Sequence, residues 1–151
     1  MMKAIIFYLD GTLLDTLEDL KKADNAALEH YKMPRRSLDE VRSFVGIGLR
    51  YLMIRAVPDG EENPKFEEAL SFLKDYYAVH CKDNTGPYPG IMEMLDELKE
   101  RGITMAIVSN KIDSAVKELD KEYFNGYMSA AIGEMEGVAR KPAPDTVLKA
   151  L

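Results

Sequence analysis

The residues best suited to chemistry fall in three short stretches. The first is "FYLDGTLLDT", residues 7–16, which follows a short apolar run at the start of the chain. Asp10 offers a carboxylate, Gly11 permits close backbone approach, and Thr12 offers a hydroxyl. Together they suit the handling of a phosphate group. The second is "AIVSNK", with Ser109 and Asn110 at the end of an apolar run. The third is "RKPAPD", in which Lys141 supplies a cation. Tyr8 stands out. A phosphate-transferring site needs a carboxylate there, ionised at neutral pH with an intrinsic pKa near ~4, whereas a phenol with a pKa near ~10 stays neutral unless strongly activated.

These residues need a scaffold that brings them together. "KAIIFYL" reads as a buried strand ended by Asp10-Gly11, and "ITMAIVS" as a second strand. "YMSAAIG" reads as a third, weaker strand. Helices are expected from Thr16 to about Tyr31, over "LDEVRSFV" behind a Ser37/Glu40 capping box, and over "LRYLMIRAV". Another begins at Asn63 with Pro64 in its first turn and runs to about Cys81. "IMEMLDELKERG" is a helix closed by Gly102, and "KIDSAVKELDKEYF" is a helix behind the second strand. A last helix starts at Pro144. Strands alternating with helices imply parallel pairing and an α/β core. Residues 16–83 hold helices only and read as an insertion, leaving 1–15 and 84–151 for the core. The chain stops at Leu151 without a closing segment, which reads as a core whose C-terminal part is missing.

Composition narrows the function. Of 151 residues, 46% are apolar and 30% charged, as expected of a globular domain, and the net charge of -6 argues against a nucleic-acid surface. The basic cluster Lys32 to Arg36 is short and reads as a solvated helix end. The run between Lys3 and Asp10 is too short for a leader or a membrane span. The lone Cys81 allows no internal disulfide and fits a reducing cytoplasm. His30, His80 and Cys81 lack ligand spacing and read as helix-face residues; Asp15 reads as a cap, and Glu18 and Asp19 as solvated charges.

The three stretches, in this order and on these elements, resemble the motifs of the haloacid dehalogenase-like hydrolases, most of which are phosphatases. "YPGIMEMLDELKERG" and the "YF" at Tyr123 resemble the phosphoglycolate phosphatase-like branch with a helical cap. The resemblance implies a Rossmann-like parallel sheet with an inserted α-helical cap. It also implies Mg²⁺-dependent hydrolysis of a small phosphomonoester, such as phosphoglycolate, through an aspartyl-phosphate.

By that resemblance Tyr8 occupies the nucleophile position. Asp10 is the general acid and base, and its main-chain carbonyl helps to hold Mg²⁺. Gly11, Thr12, Ser109 and Asn110 bind phosphate through hydroxyls and main-chain amides, and Lys141 offsets phosphoryl charge. The remaining Mg²⁺ carboxylates, the family's fourth motif, would lie beyond Leu151. Ser109 and Asn110 can equally be an ordinary cap at a strand-to-helix turn. Arg50, behind the glycines of "VGIGLR", reads either as an exposed helix residue or as a guanidinium for a substrate carboxylate. Two functions stay open: a phosphatase of this family, or a catalytically silent fold that binds anions or itself. An uncovered edge on the first strand would favour a homodimer.

Overall fold

The computed structural model describes residues 3–139, 141 and 143–151. The chain divides into two compact units, Met1–Asp15 with Gly86–Leu151, and Thr16–Thr85.

The first unit is α/β. Strands β1 (Ala4–Phe7), β4 (Thr104–Ile112) and β5 (Met128–Glu134) form a parallel sheet in the order β1-β4-β5. β4 lies in the middle, and Met105 to Ser109 are buried in succession, the pattern of a strand covered on both faces. A small antiparallel pair, β2 (Leu14–Asp15) with β3 (Gly86–Pro87), joins the two points where the insertion begins and ends in sequence. Helices α5 (Ile91–Glu100), α6 (Asp113–Tyr123) and α7 (Asp145–Ala150) complete the unit. Gly102, with φ of +72°, stands two residues past α5, where a left-handed residue closes a helix without strain. Arg140 and Pro142 of the third motif lie outside the described residues.

The second unit is helical: α1 (Leu17–His30), α2 (Leu38–Phe44), α3 (Leu49–Ala56), a 3-10 turn (Gly60–Glu62) and α4 (Phe66–His80). Its core is Leu20, Ala23, Ala27, Leu28, Leu52, Met53, Leu70 and Leu73, spaced as helix stripes require. The Ser37/Glu40 capping box forms in both directions.

Four local readings need correction. α4 starts at Phe66, because the Asn63 side chain accepts the Lys65 amide at 2.9 Å in a turn that places Pro64 before the helix. Arg36 is not merely solvated, since its Nε donates to the Ala56 carbonyl at 2.8 Å and its main chain is gripped by buried Asn25. Asp19 is not a solvated charge. It is 2% exposed and accepts hydrogen bonds from the Asn84 main chain at 3.0 and 2.8 Å, the Asn84 side chain at 2.9 Å and the Thr85 hydroxyl at 2.8 Å. That grip carries the helical unit to Thr85, beyond the break placed after Asp83. The fourth correction concerns β4 and shapes the site. Among the described residues no helix is long and apolar enough to cross a membrane.

Candidate active site

β1 ends at Phe7, paired with Ile107 of β4, so everything after Phe7 and after Ile107 lies toward the same end of the sheet. Open α/β sheets offer ligand sites at this carboxyl end. Tyr8 stands just past β1 and is 61% exposed. Leu9 is buried and anchors the turn, with its carbonyl accepting the amides of Thr12 at 3.2 Å and Leu13 at 3.0 Å. Gly11 has φ of +76°, a conformation that glycine adopts without the cost of a side chain, and its amide donates to the Leu14 carbonyl at 2.9 Å. The main-chain amides of Gly11 and Thr12 therefore close the turn. The Gly11 amide, expected to meet a phosphate, is engaged within the turn in this structure. The Thr12 residue itself is exposed.

β4 runs three residues further than the sequence suggested, through Asn110, Lys111 and Ile112, and α6 is entered from Ile112. Ser109 and Asn110 are strand residues, so the reading of them as a helix cap is overturned. The extension has a steric basis. Gly133 of β5 lies so close to β4 that a Cβ there would sit 2.5 Å from the Lys111 carbonyl oxygen, and its amide donates to Asp113 Oδ1 at 2.8 Å. Ser109 is buried, and its Oγ accepts the Lys111 amide at 3.1 Å. Asn110 Nδ2 donates to the Lys141 carbonyl at 3.4 Å, tying β4 to the third motif.

The side chain that the sequence reading missed is Lys111. It is 6% exposed, and its Nζ lies 3.0 Å from Asp10 Oδ1. A buried ammonium is strongly disfavoured unless paired, and Asp10 provides the pair. The signal was present in sequence, because Ser109 and Lys111 are two residues apart and share one face of a strand. Mistaking the strand's end for a helix start concealed it.

Lys141 converges on the same place. Its Nζ donates to the Val108 carbonyl at 2.8 Å and lies 3.5 Å from the centroid of the Tyr8 ring, a cation–π contact. Burial lowers its pKa to about 8, with the Asp10 carboxylate partly opposing the shift. The structure thus gathers Tyr8, Asp10, Lys111 and Lys141 at the carboxyl end of the sheet, with Ser109 and Asn110 on the adjoining strand.

Arg50 belongs to the helical unit and is engaged there. Its guanidinium meets Glu61 at 2.5 Å and Glu67 at 2.7 Å and lies over the Phe66 ring. The hydrogen bonds it donates to Glu67 and then to Glu61 hold its pKa above the usual arginine range. Among the described residues no group of three or more His, Cys, Asp or Glu could hold a metal ion. At the strand end Tyr8 gives a phenol and the Asp10 carboxylate is on Lys111, a donor set that does not fit Mg²⁺, which takes oxygen ligands including one or two carboxylates.

The wider likeness agrees with the motifs. The profile of the haloacid dehalogenase-like hydrolases matches residues 5–151. A phosphoglycolate phosphatase of Aquifex aeolicus is 34% identical over 152 residues, covering 99% of this chain and 69% of that protein. One of Rhodobacter capsulatus is 33% identical, covering 99% and 70%. A crystal structure from Lactobacillus delbrueckii subsp. bulgaricus, provisionally named a phosphoglycolate phosphatase, superposes with a TM-score of 0.91 at 34% identity, over 97% of this chain and 71% of that one. The chain therefore spans about 70% of the length of these relatives. With a profile match over nearly all its residues, the three motifs in order and a parallel sheet carrying them, the chain belongs to the haloacid dehalogenase-like hydrolases.

Proposed function

We propose that this chain is built around a phosphatase site for a small phosphomonoester, and that Tyr8 leaves the site able to bind but not to turn over. Phosphoglycolate is the leading substrate, on the names of the relatives. In this reading Asp10 is the proton-transfer group, and Thr12, Ser109 and Lys141 meet the phosphoryl oxygens. The helical unit is the cap. Phosphoryl transfer depends mainly on positioning and charge stabilisation. What cannot be supplied by positioning is the nucleophile. A carboxylate at position 8 would be ionised at neutral pH, whereas a phenol is not. Members of this family are expected to use Mg²⁺, which the phenol of Tyr8 and the lysine-paired carboxylate of Asp10 do not suit. The setting we assign is the cytoplasm, in keeping with a chain whose lone cysteine, Cys81, allows no internal disulfide.

The observation that carries the proposal is Tyr8 itself, exposed at the strand end beneath the Lys141 ammonium. The test is hydrolysis of an aryl phosphate in excess Mg²⁺. The wild-type chain is expected to release no phosphate above background. Turnover at ~1 per second or more, within the ordinary enzyme range, would overturn it once contaminants are excluded.

A second reading, association, is favoured by the sheet edge. β1 is an outer strand, no strand pairs with its outer side among the described residues, and Ile6 is 39% exposed on it. Such an edge templates pairing with another chain, here a second copy.

A further inference from the structure

We propose that Asp24 is a proton-operated switch inside the helical unit: protonated, it leaves Arg36 capping α3, and ionised, it draws the Arg36 guanidinium away from that cap. Asp24 lies on the apolar stripe of α1, four residues from both Leu20 and Leu28, and is fully buried. Neither of its carboxylate oxygens has a hydrogen-bond partner. A buried carboxylate in that state is strongly disfavoured, whereas a buried carboxylic acid is tolerated. The side chain therefore keeps its proton up to a pKa of about 7, raised by burial, with Arg36 opposing and Glu40 adding to the shift.

The surroundings of Asp24 name the cation that answers its ionisation. On α1, Lys21 is one turn away, with its ammonium on Glu18 at 3.3 Å, and buried Asp19 is held by Asn84 and Thr85. α4 packs on α1 with a buried face that is apolar but for Tyr77, a phenol and so uncharged near neutral pH. The buried face of α3 is apolar throughout. The start of α2 brings Glu40, an anion, and the segment before it brings Arg36. Arg36 is anchored beside Asp24 by its main chain. Its amide donates to Asn25 Oδ1 at 2.7 Å, and its carbonyl accepts Asn25 Nδ2 at 3.0 Å. Its side chain points elsewhere. Nε donates to the carbonyl of Ala56, the last residue of α3, at 2.8 Å, and Nη1 donates to Glu40 at 3.2 Å. A guanidinium there caps a carbonyl at a helix end, where the helix lacks its own donors. Glu40 is not stranded when Arg36 leaves, because its other oxygen accepts the Ser37 amide at 3.0 Å in the capping box. Ionisation of Asp24 is therefore felt at the end of α3.

The test is NMR of the intact chain from pH 5 to 8.5, following the Asp24 carboxyl carbon and the Arg36 Nε–H. Hydrogen exchange is read at Val57, whose amide donates to the Met53 carbonyl at 2.9 Å in the last turn of α3. The Arg36 signal is expected to shift with the same midpoint as the Asp24 carboxyl. At pH 8 the Val57 amide should exchange about tenfold faster in wild type than in Asp24→Asn, the ratio of ionised to neutral side chain one pH unit above a midpoint of about 7. At pH 5 the two should exchange alike. Comparison at equal pH removes the base catalysis of exchange itself. Asp24→Leu, an apolar side chain of similar size on the same stripe, should likewise hold the Arg36 signal constant across the range. An Arg36 signal that stays fixed while Asp24 titrates would overturn the switch. So would an Arg36 shift that persists in both variants, or an Asp24 carboxyl already ionised at pH 5.

Discussion

Asp10 and Asp19 are nine residues apart in sequence, and both carboxylates have well-placed partners, yet the two regions use them differently. Asp19, in the helical unit, is buried on neutral donors from Asn84 and Thr85, where it fastens the end of the unit to its beginning. Asp10, in the α/β unit, keeps 21% of its side chain open and takes a lysine. The helical unit commits its charges to its own architecture: Asp19 on main chain, Arg36 on the Ala56 carbonyl, Arg50 on Glu61 and Glu67. The α/β unit holds charges at the end of its sheet, partly open to solvent. A carboxylate surrounded by neutral hydrogen-bond donors is a fastening. One that shares a half-open end with two ammonium groups can take part in binding.

The contrast is broken most directly at Asp19. Asp19→Ala removes the acceptor for several hydrogen bonds and leaves donors buried, so a loss of about 3–5 kcal/mol is expected in urea denaturation. A loss under about 1 kcal/mol would show that Asp19 does not fasten its unit.

Asp24 sharpens the same point through pH. It is fully buried, neither carboxylate oxygen has a hydrogen-bond partner, and burial pushes its pKa up to about 7, against the opposing charge of Arg36 and with help from Glu40. Below pH 4 the carboxyl is protonated whether the chain is folded or not. Between about 4 and 7 the unfolded chain releases the proton and the folded chain keeps it, so stability falls as pH rises, and the full cost is present above about 7. Thermal unfolding should show a lower midpoint at pH 8 than at pH 5, by on the order of a few kcal/mol in stability. Asp24→Asn should flatten that slope; an unchanged slope would assign it to other groups.

Gly133→Ala tests the support of the site. The added methyl would meet the Lys111 carbonyl oxygen and force β5 away from β4, at a cost of about 1–3 kcal/mol by denaturant titration. The smallest effect is expected at Arg50. Its pairs are exposed, so Arg50→Ala should barely move the thermal midpoint, and phosphoglycolate affinity should stay at the wild-type value if Glu61 and Glu67 hold the guanidinium. A large loss of affinity would return Arg50 to the substrate. For the sheet edge, sedimentation at rising concentration should show association that Ile6→Lys reduces. A concentration-independent monomer would contradict the edge proposal.

Much of the fold was legible because it is written in local pattern. The apolar runs of β1 and β4, the Ser37/Glu40 box and the helix stripes each specify their element within a few residues. The motif residues were legible for the same reason. Contacts between distant segments were not. Asp19 and its partners are 65 and 66 residues apart, and nothing near Asp19 announces them. Lys111 was hidden by a boundary. The strand continues past Ser109 because Gly133 lets β5 approach, a fact held in another strand. Asp24 did carry a signal, since it lies four residues from both Leu20 and Leu28 and so on the apolar stripe of α1.

In the function proposed above, Tyr8 separates binding from turnover. Phosphorus NMR of phosphoglycolate with the wild-type chain tests both halves in one sample. The substrate resonance is expected to broaden or shift with added protein, while no inorganic phosphate signal grows over hours. Accumulation of inorganic phosphate at an enzymatic rate, or a substrate resonance that the protein leaves unchanged, would contradict it.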